Sequence, residues 1–175
     1  MRANKYQRLA MRTANPDLSP EECLLNAVLG LAGESGELCD ILHHASTDDG
    51  DSLMARYILL QARVGELGDT IKKHVFHSHP VNKPELMRIT DEVLKLASSI
   101  NDYTTWRDIE FEFEPFLEDV EDQVADELGD AQWHIALGCF SIKKKLSDIM
   151  RSNIAKSLKR YSDTFSFERS MNREV

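Results

Sequence analysis

The chain has 175 residues, 42% of them hydrophobic, with 21 basic against 30 acidic side chains and a net charge of −9. Such a length and apolar content suit one domain with a core of its own. The acidity argues against a passive binder of DNA, RNA or anionic membranes, which needs a basic face, but leaves room for an enzyme that handles phosphates through a divalent cation. Residues 1–20 carry four basic residues and no apolar stretch of leader length, and the longest charge-free apolar run, Cys23–Gly33, is too short to span a bilayer. Cys23, Cys39 and Cys139 are odd in number and far apart, which predicts reduced cysteines and a cytoplasmic protein.

The first strong helix signal is Ser19-Pro20-Glu21-Glu22, where Ser19 can cap, Pro20 fits the first turn and Glu22 closes a capping box. Leu24, Leu25, Val28, Leu29 and Leu31 then set an apolar face of helical period, continued by Leu38, Ile41 and Leu42 up to the polar run Ser46–Ser52. A second helix is predicted from about Ser52 to Val75, with Leu53, Tyr57, Leu60, Val64, Leu67 and Ile71 on its apolar face and Pro80 beyond its end. Asn82-Lys83-Pro84-Glu85 opens a third, through Leu86, Ile89, Val93, Leu94, Leu96 and Ile100.

Between Tyr103 and Pro115, Ile109, Phe111 and Phe113 alternate with Glu110, Glu112 and Glu114. The alternation is strand-like but short and isolated, so an ordered loop packed on helices is the expectation. Helices over about Pro115–Phe140 and Leu146–Tyr161 complete an all-α bundle of about five helices in one domain.

The most informative local feature is Gly33-Glu34-Ser35-Gly36-Glu37. Glu34 and Glu37 share a helix face, and the same spacing recurs at Glu127 and Asp130. Two such pairs on packed helices would offer four hard oxygen donors, suited to magnesium or manganese. Solvated helix faces carry acidic pairs too, and a third pair, Glu66 and Asp69, competes for the same role. Of His74, His77 and His79 only the first two fall at helical spacing, no cysteine joins them and Pro80 suggests a turn, which argues against a zinc site. His134 on an apolar helix face reads as a core histidine, and Trp133 as a packing residue. No Glu has a His three residues later, which excludes a di-iron site of the ferritin-like type.

Four segments resemble a known family: Tyr6–Ala14 (YQRLAMRTA), Leu25–Asp40 (LNAVLGLAGESGELCD), Asp126–Leu137 (DELGDAQWHIAL) and Asn153–Arg173 (NIAKSLKRYSDTFSFERSMNR). In these the chain is similar to the MazG-like, all-α nucleoside triphosphate pyrophosphohydrolases, relatives of the dimeric dUTPases. The resemblance implies a helical Mg2+ site, Mn2+ being an alternative, on Glu34, Glu37, Glu127 and Asp130. It also implies cleavage between the α and β phosphates, with Glu34 or Glu37 as general base. Asn153, Lys156 and Arg160 would meet the triphosphate with Tyr161 close by, and the enzyme would be a homodimer or higher homo-oligomer.

The basic stretch Lys143–Arg173, nine basic residues against three acidic, agrees with a phosphate-binding role. The departure from the family is the middle, residues 45–125, which puts 89 residues between Glu37 and Glu127. It reads either as a degenerate internal repeat or as an insertion. Glu37 and Glu66 are only 28 residues apart, which also fits the family. Glu127 and Asp130 are preferred because they lead into Trp133 and the Asn153–Arg160 segment. The competing reading is a non-catalytic helical interaction module. Base and sugar preference have no residue to decide them.

Overall fold

The computed structural model describes residues 1–45, 52–101 and 118–160, which form helices and their connections with no strand among them. There are six helices: α1 (Ala3–Ala10), α2 (Pro20–His44), α3 (Leu53–His77), α4 (Lys83–Asn101), α5 (Glu118–Ser141) and α6 (Leu146–Arg160). The one beyond the five expected is α1. It has eight residues and no side-chain cap, so its sequence signal is faint. Tyr6, Ala10 and Met11 hold it against the buried cluster of Ala136, Cys139 and Leu146.

The predicted caps form. Ser19 Oγ accepts from the Glu22 amide at 3.2 Å while Glu22 Oε2 accepts from the Ser19 amide at 2.7 Å, so α2 opens in a capping box. Ser52 Oγ accepts from the Ala55 amide at 3.0 Å to start α3, and the left-handed Ser78 ends it. Asn82 Oδ1 accepts from the Glu85 amide at 3.4 Å at the head of α4. The alternating stretch Ile109–Glu114, Trp106 and Tyr161 lie outside the described residues, and so does most of the polar break after α2.

Contacts between α2 and α3 pair Gly33 with Asp69 and Gly36 with Gly65, so the two helices run antiparallel. His134 on Gly30 and Gly138 on Ala27 set α5 antiparallel along another side of α2. Arg63 to Glu92 and Arg88 to Glu66 do the same for α4 against α3. The order across the bundle is therefore α4, α3, α2, α5, with α1 and α6 against α5.

The faces that meet are only in part the predicted apolar ones: Ile89 of α4 is fully buried and Leu29, Leu31 and Leu38 of α2 are half-buried, but other members turn outward. In α2 the buried residues are Cys23, Asn26, Ala27, Gly30, Gly33, Glu34 and Gly36, while Leu24, Leu25 and Val28 are 40–54% exposed. In α3 the buried face holds Ala55, Ile58, Ala62, Gly65, Lys72 and Phe76, while Tyr57, Val64, Ile71 and Val75 point outward. The physical reason is close approach. A Cβ on Gly36 would lie 2.6 Å from Gly65 Cα, and one on Gly65 would lie 2.8 Å from the Ala32 carbonyl oxygen. Small side chains let the two backbones touch, and branched apolar ones could not occupy that seam.

Candidate metal centre

The close α2–α3 crossing and the α5 packing bring acids from three helices to one place. Carboxylate oxygens of Glu34, Glu127 and Asp130 lie within 4.8 Å of one another, from residues on α2 and α5. Glu34 is buried, Glu127 half-buried and Asp130 exposed, so the group opens from the helix seam to solvent. Glu37 stands one turn on from Glu34 and hydrogen-bonds with Glu127. All four residues singled out by the paired motifs thus share one region.

Burial pushes the Glu34, Glu37 and Glu127 carboxyls above their usual values, and mutual repulsion raises each further. Glu127 also hydrogen-bonds with Glu34. Carboxylates this close repel one another unless a proton or a cation lies between them. The donor set consists of hard oxygens alone, with no thiolate, and fits Mg2+ or Mn2+.

The competing pair is differently engaged. Glu66 accepts from Arg63 at 3.0 Å and from Arg88 at 2.6 Å. Those arginines also bind Asp40, Glu85 and Glu92, which ties α2, α3 and α4 together. Asp69 pairs with the buried Lys72 at 2.8 Å and with Lys73 at 2.5 Å. Burial pushes Asp69 up, but the two lysines outweigh it and hold the carboxyl below its ordinary value. Asp69 still lines a cleft of about 350 Å3 with Glu37, Arg63, Glu66 and Glu127, a volume at the small end of ligand pockets.

Two residues at the centre carried little signal in the sequence. His134 is buried as expected of a core histidine, yet its Nε2 lies 3.2 Å from Glu34 Oε1. Burial first, then the Lys72 charge, lower its pKa to about 4, so near neutral pH this is a hydrogen bond from a neutral ring rather than an ion pair. Lys73 feels Glu37 and Glu34 as well as Asp69, and these, led by its hydrogen bond to Asp69, raise its pKa. It is a half-exposed cation beside the acids. The clue to both was spacing: Lys73 falls four residues after Asp69, and His134 seven after Glu127.

Of the residues that the resemblance places at the phosphates, Asn153 and Lys156 lie elsewhere in this chain. Helix α6 packs against α1 and α5, with Asn153 and Lys156 fully on its exposed surface. The cleft is lined from α2, α3 and α5 without them. The side chain of Arg160 and all of Tyr161 are outside the described residues. His74 Nδ1 meets the His79 carbonyl oxygen at 2.8 Å, which closes the turn after α3 and gathers no metal set. Trp133 donates its indole N–H to the Ala10 carbonyl at 3.2 Å and to Thr13 Oγ1 at 3.0 Å, a packing role as expected.

A larger cavity of about 700 Å3 opens between Met11, Leu18, Cys23 and Phe140, eleven residues along α2 from Glu34, or about 16 Å. Its lining includes apolar side chains together with Arg8, Lys143, Lys144 and Lys145, in contrast to the acidic cleft. No helix among the described residues is long and apolar enough to cross a membrane. Compared with known families, curated proteins and solved structures, the chain matches none, and its resemblance to the MazG-like enzymes rests on its own motifs.

Proposed function

We propose that this protein is a MazG-like, divalent-metal-dependent pyrophosphohydrolase that cleaves a nucleoside triphosphate to the monophosphate and pyrophosphate. The observation that carries the reading is the convergence of Glu34 on α2 with Glu127 and Asp130 on α5, far along the chain from it, on one small volume. Glu34, Glu37, Glu127 and Asp130 would hold Mg2+, with Mn2+ able to replace it. A bound divalent ion supplies charge neutralisation at the phosphates and lowers the pKa of water.

The protein's own groups have defined parts in this scheme. Glu37 is the better general base of the first pair, because it is exposed at the cleft while its raised pKa brings it nearer to neutral pH. It takes the proton as water attacks the α-phosphorus and the bond to the bridging oxygen breaks. Pyrophosphate then leaves with its charge met by Lys73, which exchanges Asp69 for a phosphate oxygen. Asp69 is a reserve ligand once Lys73 has moved.

Homo-oligomer formation belongs to the same proposal. The outward Leu25, Val28, Ile71 and Val75, with Ile154 and Leu158 on α6, are apolar surface of the kind that a second copy buries. In such an assembly Asn153, Lys156, Arg160 and Tyr161 would reach a neighbouring copy's cleft.

The test is incubation with a panel of ribo- and deoxynucleoside triphosphates and Mg2+, with products resolved by phosphorus NMR. Monophosphate plus pyrophosphate is expected, lost in Glu37→Gln and in Glu127→Gln. Orthophosphate as first product, or unchanged turnover in both variants, refutes the mechanism. No turnover together with no Mg2+-dependent nucleotide binding in a folded protein points to a helical interaction module.

A further inference from the structure

We infer that His134 is a positioning residue for the Glu34 carboxylate and that Asn26 sets which ring nitrogen carries the proton. The inference rests on the reading of Glu34 as a metal ligand. Asn26, Gly30 and Glu34 are spaced by four and form one stripe along α2. Gly30 is the socket. A Cβ there would lie 2.0 Å from His134 Cε1, 2.2 Å from Nδ1 and 2.4 Å from Nε2, so these three atoms straddle the glycine and the ring rests on the helix backbone.

That seating orients both nitrogens. Nε2 extends towards the next turn, where Glu34 Oε1 is 3.2 Å away. Nδ1, on the other side of Cε1, faces the preceding turn, which carries Asn26. His134 Nδ1 and Asn26 Oδ1 are the two fully buried side-chain polar atoms left without a partner among the described residues. Asn26, Glu34 and His134 are 4%, 8% and 7% exposed, so bulk water cannot serve them.

With Glu34 ionised, as a bound cation would hold it, the three groups have one consistent solution. An ionised carboxylate only accepts, so the ring must donate through Nε2–H, which leaves Nδ1 as a lone pair in need of a donor. Half a turn of the Asn26 amide exchanges oxygen for an NH2 of nearly the same shape. The amide then presents an N–H on the side where Oδ1 stood, and a bridging water or a small side-chain shift completes the bond to Nδ1. The stripe becomes a chain of donors, from Asn26 to His134 to Glu34. It fixes one Glu34 oxygen and leaves the other free to face Glu127 and Asp130.

The experiment uses the intact chain and Mn2+ alone as probe. In the metal-free protein, nitrogen-15 NMR of the imidazoles is expected to show His134 as the neutral Nε2–H tautomer. In titrations followed by electron paramagnetic resonance, His134→Phe is expected to weaken Mn2+ binding about ten- to a hundredfold. His134→Gln, which keeps a side-chain N–H, recovers part of that loss, and Asn26→Leu mixes the tautomers and weakens Mn2+ less than His134→Phe does. An Nδ1–H tautomer in the parent protein overturns the inference, as does unchanged Mn2+ affinity in folded His134→Phe. If the parent binds no Mn2+, the metal reading fails by itself, and the tautomer still decides the pairing with Glu34. Should the Phe variant not fold, the Gln variant and the parent spectrum carry the test.

Discussion

Replacing single glycines by alanine separates two roles that the fold assigns to them. In an exposed helix interior the change stabilises by up to about 1 kcal/mol, because glycine loses more backbone freedom on folding. Gly129 on α5 is such a site, with nothing within 4 Å of an added Cβ. At Gly36 the same methyl would sit 2.6 Å from Gly65 Cα and 3.1 Å from the Ala62 carbonyl oxygen. Carbon atoms prefer roughly 3.5–4.0 Å, so the backbones must part by about 1 Å. Overpacking of this kind costs typically about 1–3 kcal/mol, and backbone yields less readily than a side chain. Gly36→Ala is therefore expected to destabilise by about 1–2 kcal/mol after the helix-propensity gain, and Gly65→Ala by at least as much. Because the two glycines face each other, the double variant should cost less than the sum of the singles, since separation forced by one methyl makes room for the other. Urea unfolding with fitted midpoint and slope measures all four proteins. An increase in midpoint for Gly36→Ala equal to that for Gly129→Ala would refute the close α2–α3 seam.

Three further outcomes follow from the site. In the metal-free protein, the carboxyls of Glu34, Glu37 and Glu127 are raised by folding, so their contribution to stability is present below the unfolded pKa and lost as pH rises through the folded one. His134, lowered to about 4, acts oppositely: up to about 3 kcal/mol of stability is lost as pH falls from 6.5 towards 4. Chemical denaturation across pH should thus show Glu37→Gln more stable than the parent at pH 8 and no more stable at pH 4, and equal stabilities at both would contradict the shifts. Calorimetric Mn2+ titration should find Asp130→Asn weaker by about tenfold or more and Asp69→Asn changed less, the reverse ranking placing the metal on the α3 acids instead. Light scattering should find the parent larger than a monomer and Val28→Glu with Ile71→Glu smaller, whereas a monomeric parent would leave those apolar stripes without a second copy.

Helix positions were readable because their signals are local. Ser19 with Glu22, Ser52, and Asn82 with Pro84 mark starts by chemistry that acts over one turn. The inward faces were not readable by the same means. Periodicity placed Leu24, Leu25 and Val28 of α2 and Tyr57, Val64 and Ile71 of α3 on one apolar stripe each, as they are, but apolarity alone does not say whether a stripe meets its own chain or is left outward. What decides it is the small residues that allow close approach, Gly36 against Ala62 and Gly65 of α3, and Ala27 and Gly30 against Gly138 and His134 of α5. The acidic pairs were visible as Glu-x-x-Glu and Glu-x-x-Asp, yet the choice between Asp130 and Asp69 depended on Lys72 and Lys73, whose pairing with Asp69 is a three-dimensional fact. His134 was hidden for a different reason. Its significance comes from the missing Cβ of Gly30, a hundred and four residues earlier, and no window of sequence contains both.

The glycine seam and the acidic cluster are one structural decision. Helices separated by a layer of leucines stand about 8–10 Å apart, and short carboxylate side chains projecting from such helices face different water. With Gly36 on Gly65 and His134 on Gly30, the backbones close in, so acids on α2 and α5 share a volume in which Asp69 of α3 is a neighbour. The closeness has an electrostatic cost, visible in the raised pKa of three carboxyls and in the two lysines held against Asp69. Lysine ammonium groups offset that repulsion only in part, because each carries one charge and both are drawn to Asp69. The divalent cation proposed above would offset more of it, with His134 placed to hold Glu34 through the contact at 3.2 Å.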